Sequence, residues 1–566
     1  MTVSDERLER ELRDLLREDA PASAPASLRV HAADVARRGR PDGRLGLRIV
    51  RGLAAAAVVV AVVASLALVA GQRGQQAASA PPPSAPPTPV ASATSPPAPS
   101  ATAAPVTSWT ALVPDAPGTS TATTGPDGAT YVATAPYGAG GQAKVYAFDA
   151  SGAAVPGWPF APAGVIAFGR PLVAADGTVF VFGASFDTND AQLFALDPSG
   201  RVKDGWPYRA HAPVPFGGLL LNADGAPLFV EALPDGSQQV VSLTASGSVA
   251  PGWPVALPGG WPCFDGGSCA AVAADGTWYG LVGPGGGPGD AEIVALRPDG
   301  SAVPGWPVRI AGGEGFLLGP DDGVYAWGFD TRSAGSGIAV QIVRTRFALL
   351  GADGQTRDGW PVTIDGPAGV PAVAADGTLF TTTGSLGGPE QVVALGPDGR
   401  PAPGWPYALR ASIAALPYAP SAGAPPRAVS PAVGADGTVV LPVVRAPSGG
   451  GVGLLVLSRD GRPAAGPAWL PPGARLGTAA GYEIGGGTIV SPVGAGGRVY
   501  VAATTGSQAS ILALQPGGEP SVVWTSPAAG EPATPTSLEP VGDVGVRLVA
   551  QAEGGSATLV AFVVAP

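Results

Sequence analysis

Six copies of the tripeptide Gly-Trp-Pro recur along this chain at intervals of 45 to 54 residues, with their tryptophans at Trp158, Trp206, Trp253, Trp306, Trp360 and Trp405. A second pattern, Ala-Asp-Gly-Thr or a relative of it, keeps step with the first, with its aspartates at Asp127, Asp176, Asp224, Asp275, Asp322, Asp376 and Asp436. Two patterns in constant phase over several hundred residues indicate one structural unit used repeatedly. The repeat therefore constrains the architecture far more tightly than it constrains the ligand.

The unit 169–210 shows what is repeated. It contains four short β-type segments, PLVAA, TVFVFG, QLFALD and VKDGWPYRA, which are separated by Asp-Gly, a polar loop and Pro-Ser-Gly. Asp-Gly between apolar segments favours a tight hairpin, because glycine tolerates a positive φ. Four antiparallel strands in about 40–50 residues match one blade of a β-propeller. We therefore predict an all-β fold, a propeller of four-stranded blades, over residues 106–566.

The tryptophans are expected on the outermost strand of each blade. The proline after each tryptophan has no N–H to donate, which suits an edge strand, and the indole offers a wide apolar surface to bury between blades. Trp109, Trp469 and Trp524 are further outer-strand candidates. Because 537–564 supplies only three strands, the strand at Trp109 is expected to complete the last blade and close the ring. This gives nine blades, with eight as the open alternative because the terminal units diverge from the repeat.

The repeats resemble the quinoprotein-like propeller superfamily, the pyrroloquinoline-quinone-type repeat. FALDPSG (194–200) followed by Trp206, and FDASG (148–152) followed by Trp158, match its Ala-Leu-Asp, Gly, Trp pattern. The resemblance covers roughly 105–566 and implies the propeller fold. Dehydrogenases of this superfamily use an adjacent Cys-Cys pair and an acidic calcium site, and this chain has no adjacent cysteines. It is more similar to the non-enzymatic members, which act as envelope binding and assembly platforms, so we expect no cofactor.

The N-terminal part predicts a membrane anchor. Residues 53–70 are uncharged and apolar, and with their flanks they make a transmembrane signal-anchor helix over 49–71. Arginines cluster before it, so the positive-inside rule places residues 1–48 in the cytoplasm and the propeller outside a bacterial cytoplasmic membrane. Residues 72–105, rich in Pro, Ala, Ser and Thr, are predicted to be a disordered linker. A signal peptide cleaved near residues 77–80 is the alternative.

The predicted cytoplasmic tail has one apolar stripe. Ser4 can cap a short amphipathic helix whose leucines fall on one side, at Leu8, Leu12, Leu15 and Leu16. The stripe suits docking to a partner helix or to the membrane surface, and a solvated tail is the alternative. The layout resembles that of membrane-bound anti-sigma factors, although the zinc-binding His and Cys set of many of them is missing and His31 is its single candidate.

Candidate chemical groups are few. Cys263 and Cys269, six residues apart, are predicted to form a disulfide outside the cytoplasm. A redox pair is the alternative, but no neighbouring group would activate a thiolate. His211, in a segment between blades, is the one histidine outside the tail and fits a loop residue better than a catalytic triad.

Carboxylates are plentiful, and most lie in Asp-Gly turns. Asp187 and Asp190 could hold calcium, but a solvated loop is the simpler interpretation because the spacing matches no calcium loop. Glu231, Glu292 and Glu314 cannot be assigned to the central channel from sequence. We therefore predict no catalytic, cofactor-binding or metal-binding residues.

A net charge of −11 with scattered basic residues makes a poor nucleic-acid surface. The sequence favours a non-catalytic, membrane-anchored propeller that binds an envelope protein or a glycan through its loops. A transmembrane sensor that signals through residues 1–48 to a cytoplasmic regulator is one alternative. A propeller enzyme that acts on carbohydrate or uses a bound cofactor is the other.

Overall fold

A computed structural model describes the chain from Ser108 to Val564 with gaps. The described ranges are 108–114, 119–135, 142–184, 191–210, 219–260, 269–283, 290–333, 340–384, 391–410, 413–415, 417–418, 427–428, 431–434, 436–445, 451–463, 467–470, 474–476, 478–479, 488–489, 493–495, 498–505, 508–514, 521–526, 533–541, 545–552 and 557–564. The predicted tail (1–48), anchor helix (49–71) and linker (72–105) lie outside them. Within these ranges, no helix has the length and apolarity needed to cross a membrane.

The described residues form nine antiparallel sheets of three to five strands that follow one another along the chain, each of them a propeller blade, and two further two-stranded hairpins. The predicted all-β propeller is therefore confirmed, and the blade count is nine. The first strand in the chain is β1 (Trp109–Pro114). Blade 1 contains β2 (Thr119–Thr124), β3 (Thr130–Ala135) and β4 (Val145–Phe148). Blade 2 contains β5 (Ala167–Phe168), β6 (Leu172–Val173), β7 (Val179–Ala184), β8 (Ala191–Leu196) and β9 (Tyr208–Ala210). Blade 3 contains β10 (Leu220–Leu221), β11 (Pro227–Ala232), β12 (Gln238–Ser242) and β13 (Val255–Ala256).

Blades 4 to 6 keep the same plan, with four strands each. Blade 4 contains β14 (Ala270–Val272), β15 (Trp278–Val282), β16 (Ala291–Leu296) and β17 (Val308–Ile310). Blade 5 contains β18 (Gly313–Leu318), β19 (Val324–Ser333), β20 (Val340–Leu350) and β21 (Val362–Asp365). Blade 6 contains β22 (Ala372–Val373), β23 (Leu379–Thr383), β24 (Gln391–Leu395) and β25 (Tyr407–Ala408). The first strand of each blade is the inner one and the fourth is the outer one. Alanine-rich inner strands such as β14 and β22 suit the crowding around a propeller axis.

Blades 7 and 8 each carry an extra hairpin inserted within the inner strand. Their strands are β26 (Ile413–Ala415), β27 (Pro417–Tyr418), β28 (Arg427–Ala428), β29 (Ala432–Val433), β30 (Val439–Arg445), β31 (Val452–Leu457), β32 (Ala468–Trp469), β33 (Ala474–Leu476), β34 (Thr478–Ala479), β35 (Thr488–Ile489), β36 (Val493–Ala495), β37 (Arg498–Thr505), β38 (Gln508–Leu514) and β39 (Ser521–Thr525). In both blades the two halves of the inner strand pair with the same second strand. The inserted hairpins explain why these units are longer and less regular in sequence.

Blade 9 closes the ring with strands from both ends of the chain. It consists of β40 (Ala533–Val541), β41 (Gly545–Ala552), β42 (Ala557–Val564) and, as its outer strand, β1. Trp109 is the register partner of Phe562, and Pro114 is that of Ala557. The N-terminal strand thus completes the last blade, as the strand count along the sequence predicts.

The hydrophobic core lies between neighbouring blades. One buried cluster joins Trp253 of blade 3, Trp278 and Ile293 of blade 4, and Phe316 of blade 5. Because each blade buries both of its faces against neighbours, its middle strands are apolar on both sides, as in the fully buried β7. No blade can therefore bury its apolar surface without the blades beside it.

The alternation of antiparallel strands gives the propeller two unlike faces. Turns between strands 1 and 2 and between strands 3 and 4 lie on one face, which we call the turn face. Turns between strands 2 and 3, together with the connections from one blade to the next, lie on the other, which we call the loop face. The turn face repeats the same short Asp-Gly or Ser-Gly turns, such as 174–178 and 197–201, whereas the loop face differs in length and sequence from blade to blade.

Candidate functional site

The Gly-Trp-Pro tryptophans lie at the turn face, in the turn that precedes the fourth strand. Their predicted position on the outer strand itself is wrong by two residues: Trp206, for example, precedes β9, which begins at Tyr208. The main-chain N–H of Trp206 donates to the carbonyl of Lys203 at 3.2 Å within that turn, so this N–H cannot also bond to a neighbouring strand. All six Trp-Pro peptide bonds are cis. Trp109, Trp469 and Trp524 do lie on outer strands.

Each Gly-Trp-Pro indole binds the next blade along the chain. Five of the six tryptophans are buried, Trp158 being half-buried. Every Nε1–H donates to a main-chain carbonyl in the strand 3–4 turn of the following blade, by the pairs Trp158 to Pro198 (3.0 Å), Trp206 to Ala245 (3.2 Å), Trp253 to Pro298 (3.0 Å), Trp306 to Ala352 (2.9 Å), Trp360 to Pro397 (2.9 Å) and Trp405 to Arg459 (2.9 Å). We call this contact the clasp, and six clasps join blades 1 to 7 in series.

The glycine before each tryptophan is part of the clasp. Gly359 has φ +85°, and a Cβ placed there would lie 1.9 Å from the carbonyl oxygen of Asp398 in the next blade. In return, a Cβ on Gly399 of that blade would lie 2.2 Å from the carbonyl oxygen of Gly359. Two glycines therefore allow the two main chains to approach closely, and the tryptophan hydrogen bond forms beside them.

Five of the six clasps are backed by an aromatic side chain from the second strand of the same blade. Trp306 lies edge-on to Tyr279 with ring centroids 5.2 Å apart, and Trp360 packs on Tyr325 at 6.1 Å. Burial and nearby aspartates raise the pKa of both tyrosines to about 12. The Tyr325 hydroxyl donates to the carbonyl of Gly377 in the next blade at 2.8 Å, which adds a second hydrogen bond across the same junction.

Aspartates of the turn face are hydrogen-bonded within their own turns. The Asp176 carboxylate accepts from the Thr178 N–H and from its hydroxyl, both at 2.9 Å. The Asp197 carboxylate accepts from the Ser199 hydroxyl at 2.7 Å and from two main-chain N–H groups. These bonds lower the pKa of both carboxyls, that of Asp176 mainly through the Thr178 N–H and that of Asp197 mainly through the Ser199 hydroxyl. Their role in these turns is structural.

Two repeats depart from the Asp-Gly pattern in an informative way. In blade 3 the turn is held by Asn222, whose side-chain oxygen accepts hydrogen bonds from the main-chain N–H groups of Asp224 and Ala226. In blade 5 the acceptor is Asp321, while Asp322 takes the position with φ 56° that glycine holds elsewhere. The aspartates Asp224 and Asp322, which belong to the repeat pattern, therefore do not hold their turns.

The three junctions that close the ring use other contacts among the described residues. Between blades 8 and 9, the Trp524 Nε1–H donates to the Thr110 hydroxyl at 3.1 Å. Between blades 9 and 1, the Trp109 ring packs on Gly152, and the buried guanidinium of Arg547 donates to the carbonyl of Ala122 at 2.9 Å. The Trp469 ring of blade 7 makes a cation–π contact with Arg445 of its own blade, whose guanidinium carbon lies 4.5 Å from the ring centroid.

The loop face carries the most prominent feature of the described chain, the long hairpin of blade 5. Strands β19 and β20 have 10 and 11 residues, whereas the corresponding strands of blades 4 and 6 have 5 or 6. At about 3.3 Å per residue, these strands are roughly 15 Å longer than the corresponding strands of the neighbouring blades. Residues 331–333 of β19, with Arg332 exposed, belong to this longer part.

Charged side chains surround the base of this hairpin. Arg346 holds both oxygens of Asp330, at 3.1 and 3.2 Å, and Arg344 lies 3.4 Å from Asp365. The neighbouring blade 4 adds the ion pair of Arg309 with Asp290, and these two complete a group of six charged residues that we call the hairpin charge cluster.

The hairpin charge cluster spans two blades and remains open to solvent. The Asp290 carboxylate binds Arg309 and accepts from the Gly312 N–H at 3.1 Å. These bonds, with the Arg309 hydrogen bond first, lower the pKa of Asp290, and the charge of Arg346 adds to the effect. The Arg309 side chain is 72 % exposed and that of Arg344 59 %, so their guanidinium groups can meet a ligand without any rearrangement.

The three glutamates considered for a channel site lie on different blades and do not converge. Glu231 is fully buried on β11, where it accepts from the Tyr208 hydroxyl at 3.3 Å and from the Gln239 amide at 3.1 Å. Burial, followed by the nearby Glu231, raises the pKa of Tyr208. Glu292 lies on the third strand of blade 4, opposite Arg309, and Glu314 lies on the inner strand of blade 5. Only Glu314 thus comes from a strand that faces the channel.

Several predicted residues fall partly or wholly outside the described ranges. Cys269 is buried just before β14, but Cys263 is not described, so the disulfide stays a prediction. His211 and the two calcium candidates Asp187 and Asp190 are likewise outside. Among the described residues, no group of three or more His, Cys, Asp or Glu side chains is arranged to hold a metal ion.

The hairpin charge cluster was missed by the sequence reasoning, although one signal for it exists. The interval from Trp306 to Trp360, 54 residues, is the longest between successive Gly-Trp-Pro copies. The additional residues fall between an Asp-Asp-Gly turn and the next tryptophan, in a segment with alternating apolar and charged residues, as a lengthened hairpin requires. The pairing of charges across two blades has no such signal.

Comparisons with known proteins leave the family open. No family model matches the chain, and no curated protein is significantly similar to it, so the quinoprotein-like resemblance stays a prediction. Solved structures that are similar include the Dos1 propeller (10 % identity, TM-score 0.37, covering 80 % of this chain and 95 % of that one) and the BP39L lectin from Burkholderia pseudomallei (14 %, 0.34, 63 % and 98 %). A puromycin-hydrolysing peptidase of Mycobacterium tuberculosis is also similar (15 %, 0.35, 78 % and 59 %). At these identities and TM-scores, the likenesses carry no argument about function.

Proposed function

We propose that this protein is a non-catalytic binding platform that presents its loop face to an envelope protein or a glycan. The observation that carries the proposal is the contrast between the two faces. On the turn face, aspartates, glycines and tryptophans are committed to turns and clasps, whereas the loop face differs from blade to blade and carries an exposed, projecting hairpin.

The clasped scaffold supports this function because recognition requires loops held in fixed relative positions. Six equivalent junctions of one glycine pair and one indole hydrogen bond each leave little freedom between blades 1 and 7. The hairpin charge cluster is anchored in blades 4 and 5, in the middle of that series. A ligand that contacts it meets a rigid surface and pays little ordering entropy.

The chemistry of the cluster favours a partner with both charge signs or with acidic groups. Arg309 and Arg344 are exposed, and Arg332 lies further out on the hairpin. Their guanidinium groups can hold carboxylates in a bidentate manner, and the neighbouring aspartates can accept from amides, hydroxyls or ammonium groups. An acidic segment of an envelope protein, or a glycan with uronic-acid-type carboxylates, satisfies this pattern.

The test is charge reversal on the cluster. We expect Arg309→Glu with Arg344→Glu in the full chain to lose a protein or glycan that the unmodified chain retains when purified from native membranes, as measured by quantitative mass spectrometry. The matched control is Arg400→Glu, which reverses an exposed arginine (85 % exposed) on the turn face and should keep the partner. Retention of an identical set by all three chains would refute the proposal for this surface.

The anchor and the outward location are part of the same proposal. A chain that lacks residues 1–48 should still retain the partner, because the binding surface lies in the propeller. If the truncation instead removes a cytoplasmic protein while the exterior partner stays, the chain acts as a transmembrane sensor and the platform is one half of its mechanism.

A further inference from the structure

The turn between strands 1 and 2 of blade 5 contains an aspartate where the other turns of this kind have glycine. Its sequence is Gly-Pro-Asp-Asp-Gly (319–323), and Asp322 has φ 56° at the position that glycine holds in blades 1 to 4, 6 and 7. Among the described residues, Asp322 is the one residue other than glycine with a positive φ. Because a Cβ makes this conformation unfavourable, the contacts of the carboxylate need an explanation.

The Asp322 carboxylate reaches back to blade 4. One of its oxygens lies 3.4 Å from the main-chain nitrogen of Ala274, in the strand 1–2 turn of that blade. The same turn is held by Asp275, whose carboxylate accepts from the Thr277 N–H at 2.8 Å and from the Thr277 hydroxyl at 3.0 Å. Two carboxylates from neighbouring blades therefore meet at one junction of the turn face.

These two carboxylates differ from others on the turn face in their lack of a cationic neighbour. Lys203 lies 3.6 Å from Asp176, and Arg357 lies 2.7 Å from Asp321. Within the described ranges, no arginine or lysine forms an ion pair with either carboxylate of the blade 4–5 pair. Two like charges brought together in this way favour a cation between them.

A buried hydroxyl at the same junction has no hydrogen-bond partner in the described part of the chain. It belongs to Tyr279, which is 2 % exposed. At the equivalent position of blade 5, the Tyr325 hydroxyl donates to the Gly377 carbonyl of the next blade at 2.8 Å. Burial, and then the charges of Asp275 and Asp322, raise the pKa of Tyr279 to about 12, so its hydroxyl is directed toward both carboxylates. Buried hydroxyls are nearly always bonded, so this one points to a ligand.

We propose that the Asp275 and Asp322 carboxylates and the Tyr279 hydroxyl bind a divalent cation with calcium's preference for oxygen ligands. Calcium takes six to eight oxygens and accepts carboxylates, main-chain carbonyls and water in a flexible arrangement. A site with two carboxylates is expected to bind it with a Kd of about 0.1–1 mM, the range of extracellular modules. The ion neutralises the carboxylate pair and links blades 4 and 5. This inference does not depend on the partner of the loop face.

The test compares the urea unfolding of the full chain in about 10 mM calcium and in EGTA, at equal ionic strength. With a Kd of about 1 mM, calcium should raise the folding equilibrium constant of the unmodified chain about tenfold. Asp322→Gly should lose most of this response. In EGTA it should be at least as stable as the unmodified chain, because glycine adopts the required φ without strain.

Two further variants locate the site. Asp224→Asn removes an exposed carboxylate from the equivalent turn of blade 3, where it likewise does not hold the turn, and should keep the full calcium response. Tyr279→Phe should reduce that response about threefold. Its stability in EGTA should be unchanged, because it loses no hydrogen bond among the described residues.

Three results would overturn the inference. The first is the absence of a calcium response in the unmodified chain. The second is an equal response in Asp322→Gly, which would mean that calcium neutralises the aspartates of the turn face in general and that Asp322 serves only as an acceptor for Ala274. The third is an undiminished response in Tyr279→Phe, because the hydroxyl would then not be a ligand.

Discussion

Blades 1 to 7 are joined by six copies of one contact, whereas the three junctions that complete the ring through blades 8 and 9 each use a different contact. In the clasped part, a buried indole binds a carbonyl of the next blade beside two closely approaching glycines. In the closing part, Trp524 donates to the Thr110 hydroxyl and Trp109 packs on Gly152. Trp469 packs against the guanidinium of Arg445 from its own blade.

The difference teaches that a repeated junction and a closing junction have different requirements. A repeated junction can use the same local sequence in every copy, because each blade meets the next in the same geometry. The two junctions of blade 9 bring strands from opposite ends of the chain together, and the closing junctions must accommodate the angle that the other junctions leave. Their contacts are therefore individual.

The largest expected effect tests whether a clasp tryptophan stabilises the fold more than a closing one. Trp306→Ala removes a buried ring and its hydrogen bond, so we expect the free energy of unfolding to fall by about 3–5 kcal/mol. Trp524→Ala removes a half-exposed ring and should cost about 1–2 kcal/mol. Urea denaturation followed by circular dichroism measures both, and equal costs would remove the distinction between the two kinds of junction.

The second test separates close approach from backbone conformation. Gly359→Ala places a methyl group against the Asp398 carbonyl in addition to straining a positive φ, and we expect a loss of about 2–4 kcal/mol. Gly164→Ala is the matched control, because its φ is +79° and no atom lies within 4 Å of the added Cβ. The control should cost about 1 kcal/mol. Equal losses would mean that the close approach of blades 5 and 6 is unimportant.

The third test concerns the additional hydrogen bond between blades 5 and 6. Tyr325→Phe leaves the Gly377 carbonyl without its donor and should lower the free energy of unfolding by about 1 kcal/mol at pH 7. The folded pKa of Tyr325, about 12, lies above its ordinary value of 10.0, so the unfolded chain releases this proton first and stability falls between those values. The variant should show a shallower alkaline decline in urea titrations at pH 9 to 12.

The smallest expected effect concerns the turn carboxylates of the clasped part. The pKa values of Asp176 and Asp197 are lowered in the folded protein, so their contribution is complete above the ordinary value of 3.8 and is lost as the pH falls through the folded values. Asp176→Asn with Asp197→Asn should therefore flatten the decline of the urea midpoint below pH 4, by a small amount because both groups are solvent-accessible. An unchanged decline would show that these turns do not contribute to acid sensitivity.

The architecture was largely predictable because its signals are local and repeated. The Asp-Gly turns, the alternating apolar segments and the Gly-Trp-Pro spacing each specify a hairpin or a turn within a few residues, and their constant phase specifies the blade. Strand counting at the two ends also predicts that β1 joins β42. The position of the tryptophans was predicted less well, because Gly-Trp-Pro reads as part of a strand although Trp206 hydrogen-bonds within a turn.

The candidate binding surface was not predictable in the same way. The hairpin charge cluster depends on Asp290 and Arg346, which are 56 residues apart and meet because blades 4 and 5 lie side by side. No local pattern reports such pairs.

By itself, the sequence determined the repeating unit, the all-β class and the turn chemistry, since these follow from hydrogen bonds and φ preferences within short segments. The tertiary structure decided between nine blades and eight, and it alone showed that the tryptophans bind the next blade and that charge gathers at one hairpin. The physical reason is that these features arise between blades, where side chains distant in sequence come together after each blade has formed.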